Sequence, residues 1–355
     1  MKLTKWLRLE FRLPWIVAIG SGSVERLPEI LRGIGCGSVL VVTDATIRGL
    51  LGPRVEGLLA GSFKLGFVEV STNHQPTLDK LHVEIPWAGY DCVLGLGGGR
   101  PVDVAKYLAH KSSKPFVSVP TSISHDGFAS PIVALKDDSG NPLSLFTTPP
   151  RVVVVDLQIV SKAPRRLLAS GVGDLVAKVT SVADARLAVR ERGEEIPESS
   201  LRLAEAAASM VVDNIGEVSS WTERGLRLLV EAGLLAGMAM SVAGSSRPCS
   251  GSEHLFSHAV DKLYPGRGGL HGEQVGVGAV ISAYLHGLDW RRIKGILRRA
   301  GAPTTVSGIG LSVEEAARAL VEAPRLRERY TILHKLGLGE REALEVVAAT
   351  VGSEE

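Results

Sequence analysis

At 355 residues the chain exceeds what one hydrophobic core usually holds, so two domains are expected. With 45% hydrophobic and 22% charged residues the composition is globular, and a formal charge of +2 without any long Lys and Arg run argues against a nucleic-acid partner. The opening MKLTKWLRLEFRLP is broken by Lys5, Arg8, Glu10 and Arg12, unlike a signal peptide, while the most apolar stretch, Leu226 to Ala243, carries Arg227 and Glu231 and suits a buried helix better than an integral membrane span.

From Trp15 to about Val119, apolar β-branched runs alternate with helical patterns: WIVAIG, SVLVVTD, FVEV, DCVLGLG and PFVSV. The alternation predicts βαβ units, hence an α/β, Rossmann-like parallel sheet with helices on both faces. Ligands of such sheets bind where the strands' carboxyl ends meet Gly-rich turns. The turn Gly20-Ser-Gly-Ser23 is a weak candidate, because it could simply join a strand to a helix. Asp44, at the end of the second strand, could accept from an adenosine ribose or cap the next helix. Thr46 and Arg48 nearby could instead accommodate a 2'-phosphate, which leaves NADH against NADPH open. Cys36, Cys92 and Cys249 have neither paired nor chelating spacing, which fits a reducing cytoplasm.

The strongest turn is Gly97-Gly-Gly-Arg-Pro-Val-Asp-Val-Ala-Lys106. Three glycines let the backbone approach a pyrophosphate, Pro101 suits a first helical turn, and the helix then aims its free amides at the anion. Neither the G-x-G-x-x-G nor the Walker lysine spacing is present. Next, Val119-Pro-Thr-Ser-Ile-Ser-His-Asp-Gly-Phe-Ala-Ser-Pro131 is dense in hydroxyls and holds one acid, Asp126, suited either to a series of turns or to lining a ligand. Ile132 to Leu135 and Leu143 to Phe146 read as a hairpin, and Arg151 to Asp156 as one more buried strand.

From Ala163 onward the pattern becomes helical, over 171–192, 198–215, 221–244, 251–263, 271–286, 289–300, 312–323 and 340–351. The division is therefore residues 1–162 as a dinucleotide-binding α/β domain and residues 163–355 as an all-helical C-terminal domain for metal and substrate. The densest chemistry lies in GSEHLFSHAVDKLYPGRGGLHGE, Gly251 to Glu273. His254 and His258 share a helical face, and His271 follows a Gly-rich turn able to bring it back toward them. Imidazoles suit zinc, nickel, iron or copper; the alternative is ordinary polar positions on an amphipathic helix. An acidic ligand is offered by Asp174 in Gly171-Val-Gly-Asp-Leu-Val-Ala-Lys178. That Asp also reads as a capping residue in a first helical turn.

GGGRPVDVAK, PTSISHDGFAS, GVGDLVAK, GSEHLFSHAVD and GGLHGEQVGVG, in this order, resemble the glycerol dehydrogenase and iron-containing alcohol dehydrogenase superfamily, and most closely its archaeal sn-glycerol-1-phosphate dehydrogenases. The similarity runs from about Trp15 to about Tyr330. The first motif is shared across the superfamily and with dehydroquinate synthase, whereas PTSISHDGFAS is more specific. The resemblance implies one zinc ion per subunit on Asp174, His254 and His271. It implies that Asp126 and His258 contact substrate, with Asp174 touching it too, which moves His258 off the metal. It places NAD or NADP on Gly97, Gly98, Gly99, Arg100, Pro101, Val102, Asp103, Thr121, Ser122, Ile123, Ser124 and Ser130. The implied reaction interconverts dihydroxyacetone phosphate and sn-glycerol 1-phosphate in the cytoplasm, for ether lipids, in a homo-oligomer that is a dimer or a ring of dimers. Other readings are a glycerol or simple alcohol dehydrogenase, a dehydroquinate synthase-like lyase, and an inactive homologue.

Overall fold

Eight strands and sixteen α-helices form among the residues that the computed structural model describes, 12–354. Chain order in the first half is β1 (Ile16–Gly20), α1 (Leu27–Gly33), β2 (Ser38–Thr43), α2 (Ala45–Leu59), β3 (Lys64–Glu69), α3 (Gln75–Glu84), β4 (Cys92–Gly97), α4 (Gly99–Lys111), β5 (Phe116–Pro120), β6 (Ile132–Lys136), β7 (Pro142–Phe146) and β8 (Val152–Asp156). Six strands build one sheet in the order β1-β8-β5-β4-β2-β3, every neighbouring pair parallel. Covering a parallel sheet on both faces removes the need for alternation, and β4, β5 and β8 are accordingly buried along their whole length. One face carries Val39, Val41, Leu94 and Leu96 against Leu27, Leu31, Val55 and Leu59 of α1 and α2. The other carries Val42, Val93, Val153 and Val155 into a core shared with α4 and the helical half. The separate β6–β7 hairpin is antiparallel, as expected of the two apolar runs.

The second half is helical: α5 (Leu157–Val160), α6 (Arg165–Val176), α7 (Lys178–Arg192), α8 (Glu198–Asp213), α9 (Ile215–Val218), α10 (Glu223–Ala243), α11 (Ser252–Leu263), α12 (His271–Leu285), α13 (Trp290–Ala300), α14 (Val313–Glu322), α15 (Ile332–Leu336) and α16 (Glu340–Val351). By length and composition α10 could cross a membrane, yet it lies largely buried and packs along α8 and the 126–128 turn. A side chain at Gly233 or Gly237 would collide with Phe128 or the Ala129 carbonyl, so those glycines let the Asp126 loop settle on α10. The signal-peptide reading rests on Lys5, Arg8 and Glu10, which lie outside the described residues.

Two expectations are corrected. The helix expected over 171–192 is two helices meeting at Ala177, and the first begins at Arg165 behind Pro164. Asp174 therefore sits in the last turn of α6 rather than in a first turn, and favourable alignment with a helix N-terminus does not apply to it. The cysteine reading also falls. Cys36 and Cys92 form a disulfide with Cα atoms 6.0 Å apart, while Cys249 is free and buried. The pair is 56 residues apart in sequence and is joined only because β2 and β4 are neighbours. Cysteine usage thus gives no support for a reducing compartment. Closing a loop of this length should stabilise the fold by about 4 kcal/mol. Denaturant unfolding with and without a thiol reductant should show a loss of that order, and identical midpoints would count against a formed bond.

Candidate active site

Two cavities open at the carboxyl ends of the strands. The larger, about 890 Å³, is lined by Gly98, Arg100, Thr121 and Ser122 together with Asp44, Thr46, Leu50 and Ile159. Gly97 has φ +153, and a side chain there would strike Pro101, which fixes the tight exit from β4. Gly98 follows as the cap of α4, with only Ser122 nearby at 3.5 Å from where a Cβ would lie. A Cβ at Gly98 would meet only ordinary contact, whereas one at Gly99 would strike the His125 ring. Pro101 packs beneath the turn, Val102 and Ile123 are in the core, and the Ser124 carbonyl accepts from Ser170 Oγ at 3.0 Å. Asp103 and Ser130 line the second cavity instead, and Ser130 Oγ accepts from the amide of Ile132 at 3.3 Å. Lys106, fully buried, donates to Asp103 at 3.2 Å and to the carbonyls of Gly127 and Ile132 at 2.6 and 2.7 Å, tying α4 to the Asp126 loop.

Asp44 is a helix cap, its Oδ1 accepting from the Ile47 amide at 2.9 Å, and the residue also lines the larger cavity. Arg48 turns away, 2.9 Å from Glu56 and over the Phe67 ring. The Gly20 to Ser23 turn is occupied by its own protein, because the amides of Gly22 and Val24 both donate to Asp156.

The second cavity, about 270 Å³, is lined by Asp126, His254, His258 and His271. The ligand atoms of Asp174, His254 and His271 all lie within 4.8 Å of one another. Their convergence depends on a close helix crossing. A Cβ at Gly173 would run into the Gly272 carbonyl and one at Gly272 into the Ser170 carbonyl, so only paired glycines let α6 and α12 touch backbone to backbone and set Asp174 beside His271. One carboxylate and two imidazoles are a donor set that zinc accepts with positions left open. The imidazoles are oriented from behind: His254 Nδ1 bonds Glu253 at 2.8 Å, turning Nε2 toward Asp174 Oδ1 at 3.6 Å, and His271 Nδ1 lies 3.3 Å from Ser257 Oγ, which donates to Gln274 at 2.6 Å. Such supports fix ring and tautomer. Glu253→Gln is expected to weaken zinc affinity about 10- to 100-fold while leaving the fold intact. Competition against a chromophoric chelator measures this, and an unchanged affinity would remove Glu253 from the role.

Burial pushes His271 down to about 3, helped by repulsion from His254, His125 and Lys178 against the attraction of Asp174, so its imidazole is neutral, the form that could ligate a metal. His258 is held well below its ordinary value by burial and by the nearby Arg327, and its Nδ1 is a buried atom without a partner. Burial opposes ionisation of Asp174, but Lys178 and the two imidazoles outweigh it and keep the carboxyl well below the usual range. Lys178 itself is fully buried, 2.9 Å from Asp174 and 2.9 Å from Asp126, while the Asp126 amide donates to Asp174 at 2.9 Å.

Lys178, Glu253, Ser257 and Gln274 were not singled out from the sequence as site residues. The signals present were the i, i+4 spacing of Asp174 and Lys178 and the adjacency of Glu253 to His254. Asp184 of α7 left no such signal, although it receives the first amide of α11 from Ser252 at 2.6 Å and that of Ile332 at 2.7 Å.

An iron-containing alcohol dehydrogenase family model matches residues 18–164. Glycerol-1-phosphate dehydrogenase (NAD(P)+) of Thermofilum pendens is 58% identical over 95% of this chain and 97% of its own. The corresponding protein of Methanoculleus marisnigri is 42% identical over 97% of this chain and 94% of its own. Among solved structures, a probable glycerol dehydrogenase from Sinorhizobium meliloti superposes with a TM-score of 0.79 at 21% identity, covering 96% of this chain and 98% of that one, and so shares the fold.

Proposed function

The chain belongs to the glycerol-1-phosphate dehydrogenase family of the iron-containing alcohol dehydrogenases, and on that premise we propose that it reversibly reduces dihydroxyacetone phosphate to sn-glycerol 1-phosphate with NADH or NADPH. The observation that carries this reading is the clustering of Asp174, His254 and His271 within 4.8 Å, the two imidazoles lining a cavity that also holds Asp126 and His258. Asp174, His254 and His271 would hold zinc, which when bound supplies Lewis-acid polarisation of a carbonyl. The dinucleotide, whose nicotinamide supplies the hydride, would lie along the cavity of Gly98, Arg100, Thr121 and Ser122. Residues 1–162 then serve the dinucleotide and residues 163–355 the metal and most of the substrate, in a homo-oligomer that provides the glycerol phosphate of ether lipids.

The side chains do the orienting. Lys178 holds one Asp126 oxygen, leaving the rest of that carboxylate to accept from a substrate hydroxyl. His258 is neutral, and its free Nδ1 can take part in a hydrogen bond with a second hydroxyl but does not bring a positive charge to the site. Fixing the two hydroxyls of sn-glycerol 1-phosphate in this way, the second of which is the carbonyl oxygen of the ketone, exposes one face of the reacting carbon to the dinucleotide side, which determines the handedness of the product.

Zinc-loaded protein should consume NADH or NADPH on addition of dihydroxyacetone phosphate but much less with unphosphorylated dihydroxyacetone. Equal rates would turn the reading into a glycerol or alcohol dehydrogenase, and no oxidation with either ketone would restore the lyase and inactive readings.

A further inference from the structure

Where the substrate's phosphate goes is not answered by Asp126, His258 or the metal donors, and the charges around the smaller cavity single out one residue. Three carboxylates line it besides the metal donors: Asp103, Asp126 and Asp261. Asp103 has Lys106 and Asp126 has Lys178, both lysines fully buried. Asp261 accepts from Gln274 at 3.0 Å, and burial raises its carboxyl above the ordinary value against the opposing pull of Gln274 and of Lys136, which lines the same cavity. That leaves Arg327 without a counter-charge. Its guanidinium forms no ion pair among the described residues, and its one side-chain bond is from Nη2 to the Ser144 hydroxyl of β7 at 2.9 Å.

A guanidinium withdrawn from water without an acid beside it is costly unless a ligand supplies the missing charge. Arg327 is substantially desolvated, and burial is what lowers its affinity for its proton. Behind it Arg329, more deeply buried, donates to the Ser250 carbonyl at 2.5 Å and to Ser246 Oγ at 2.8 Å, so a second cation backs the same wall. The placement also suits the size of the substrate. Arg327 is close enough to His258 to be the largest charge acting on it, and His258 lies one helical turn, roughly 5 Å, beyond His254 along α11. In a ketone 1-phosphate only three bonds separate the carbonyl carbon from phosphorus.

We propose that Arg327, steadied by Ser144, is the anchor for the phosphate of the three-carbon substrate and hence the residue that selects phosphorylated over unphosphorylated ketones. This rests on the functional reading above. The planar fork of the guanidinium matches two phosphate oxygens at once, which a lysine cannot do. The anchor sits on the segment between α14 and α15 and on the β6–β7 hairpin, so both halves of the chain contribute to it.

The test uses zinc-loaded full-length protein, the two ketones, and inorganic phosphate as a competing probe. In wild type, phosphate should compete with dihydroxyacetone phosphate. In Arg327→Ala the KM for the phosphorylated ketone should rise about 100-fold, phosphate should cease to compete, and the ratio of kcat/KM for the phosphorylated over the unphosphorylated ketone should fall by a similar factor. Arg327→Lys should fall between the two. Arg325→Ala, at an exposed residue paired with Glu322, should match wild type. If Arg327→Ala does not fold, Arg327→Lys carries the test through the same ratio. A folded variant that keeps the wild-type ratio overturns the anchor alone. A wild type indifferent to the phosphate overturns the functional reading, and the anchor with it.

Discussion

Replacing His271 with Ala is expected to abolish stoichiometric zinc binding and to lower dihydroxyacetone phosphate reduction by roughly a thousandfold or more, since loss of Lewis-acid assistance worth about 4 kcal/mol corresponds to three powers of ten. His271 is the first residue of α12 and reaches Asp174 only because Gly173 and Gly272 allow α6 and α12 to touch. Removing the imidazole takes away one of the three clustered donors and leaves Ser257 still bonded to Gln274, so the surrounding packing should survive. Metal content by atomic emission, far-UV circular dichroism and steady-state rates on the same preparation separate the outcomes. His258→Ala, by contrast, should keep full metal content and lose activity, because His258 lies outside the donor cluster. Retained activity in metal-free His271→Ala would remove the metal from the chemistry, and metal loss in His258→Ala would mean that the donor set has been misassigned.

The same comparison shows where sequence reasoning reaches its limit. Buried parallel strands announce themselves, because runs such as VVVVD need no alternation when both faces are covered, and the strand and hairpin expectations agree with the structure at that level. Gly171-Val-Gly-Asp174 misled for a physical reason. Glycines before an acid look like a helix entrance, whereas here they lie inside α6, where Gly171 lies against the Ile123 carbonyl and Gly173 against Gly272. Local pattern cannot report a partner nearly a hundred residues away. Cys36 and Cys92 escaped for the same reason, since only strand order makes them neighbours. In the Gly-rich turn, three glycines looked like one device for binding phosphate, yet Gly97 and Gly99 also answer to Pro101 and His125, which a side chain at either position would strike. Arg327 sits in RLRERY, where nothing in the local pattern sets it apart from Arg325 and Arg329, and only the fold brings it to the wall of the smaller cavity.

Lys178 was the most consequential omission, and Lys178→Met is expected to cost about 3 to 5 kcal/mol of stability in the metal-free protein at pH 8. Its ammonium is fully buried between Asp126 and Asp174, 2.9 Å from each. Methionine fills much of the volume but leaves two carboxylates facing each other with no cation. The pH dependence distinguishes this cause from simple repacking. In wild type Asp174 is held well below its ordinary 3.8, so its contribution to stability is present above that value and is lost only as pH falls toward the lower folded value. Lys178 is raised above its ordinary 10.5, because the two carboxylates outweigh burial; its contribution is complete below that pH and fades only above it. The wild-type pair is therefore insensitive to pH from about 5 to about 9. In the variant the Asp174 carboxyl shifts upward instead, because burial and the facing carboxylate both favour its protonated form. A group raised in the folded state stabilises at low pH and loses that stabilisation as pH rises, so the deficit should shrink as pH is lowered from 8 toward 5. Denaturant unfolding of chelator-treated protein across that range measures it. A deficit under about 1 kcal/mol, or one independent of pH, would show that the two carboxylates do not depend on Lys178 for their charge.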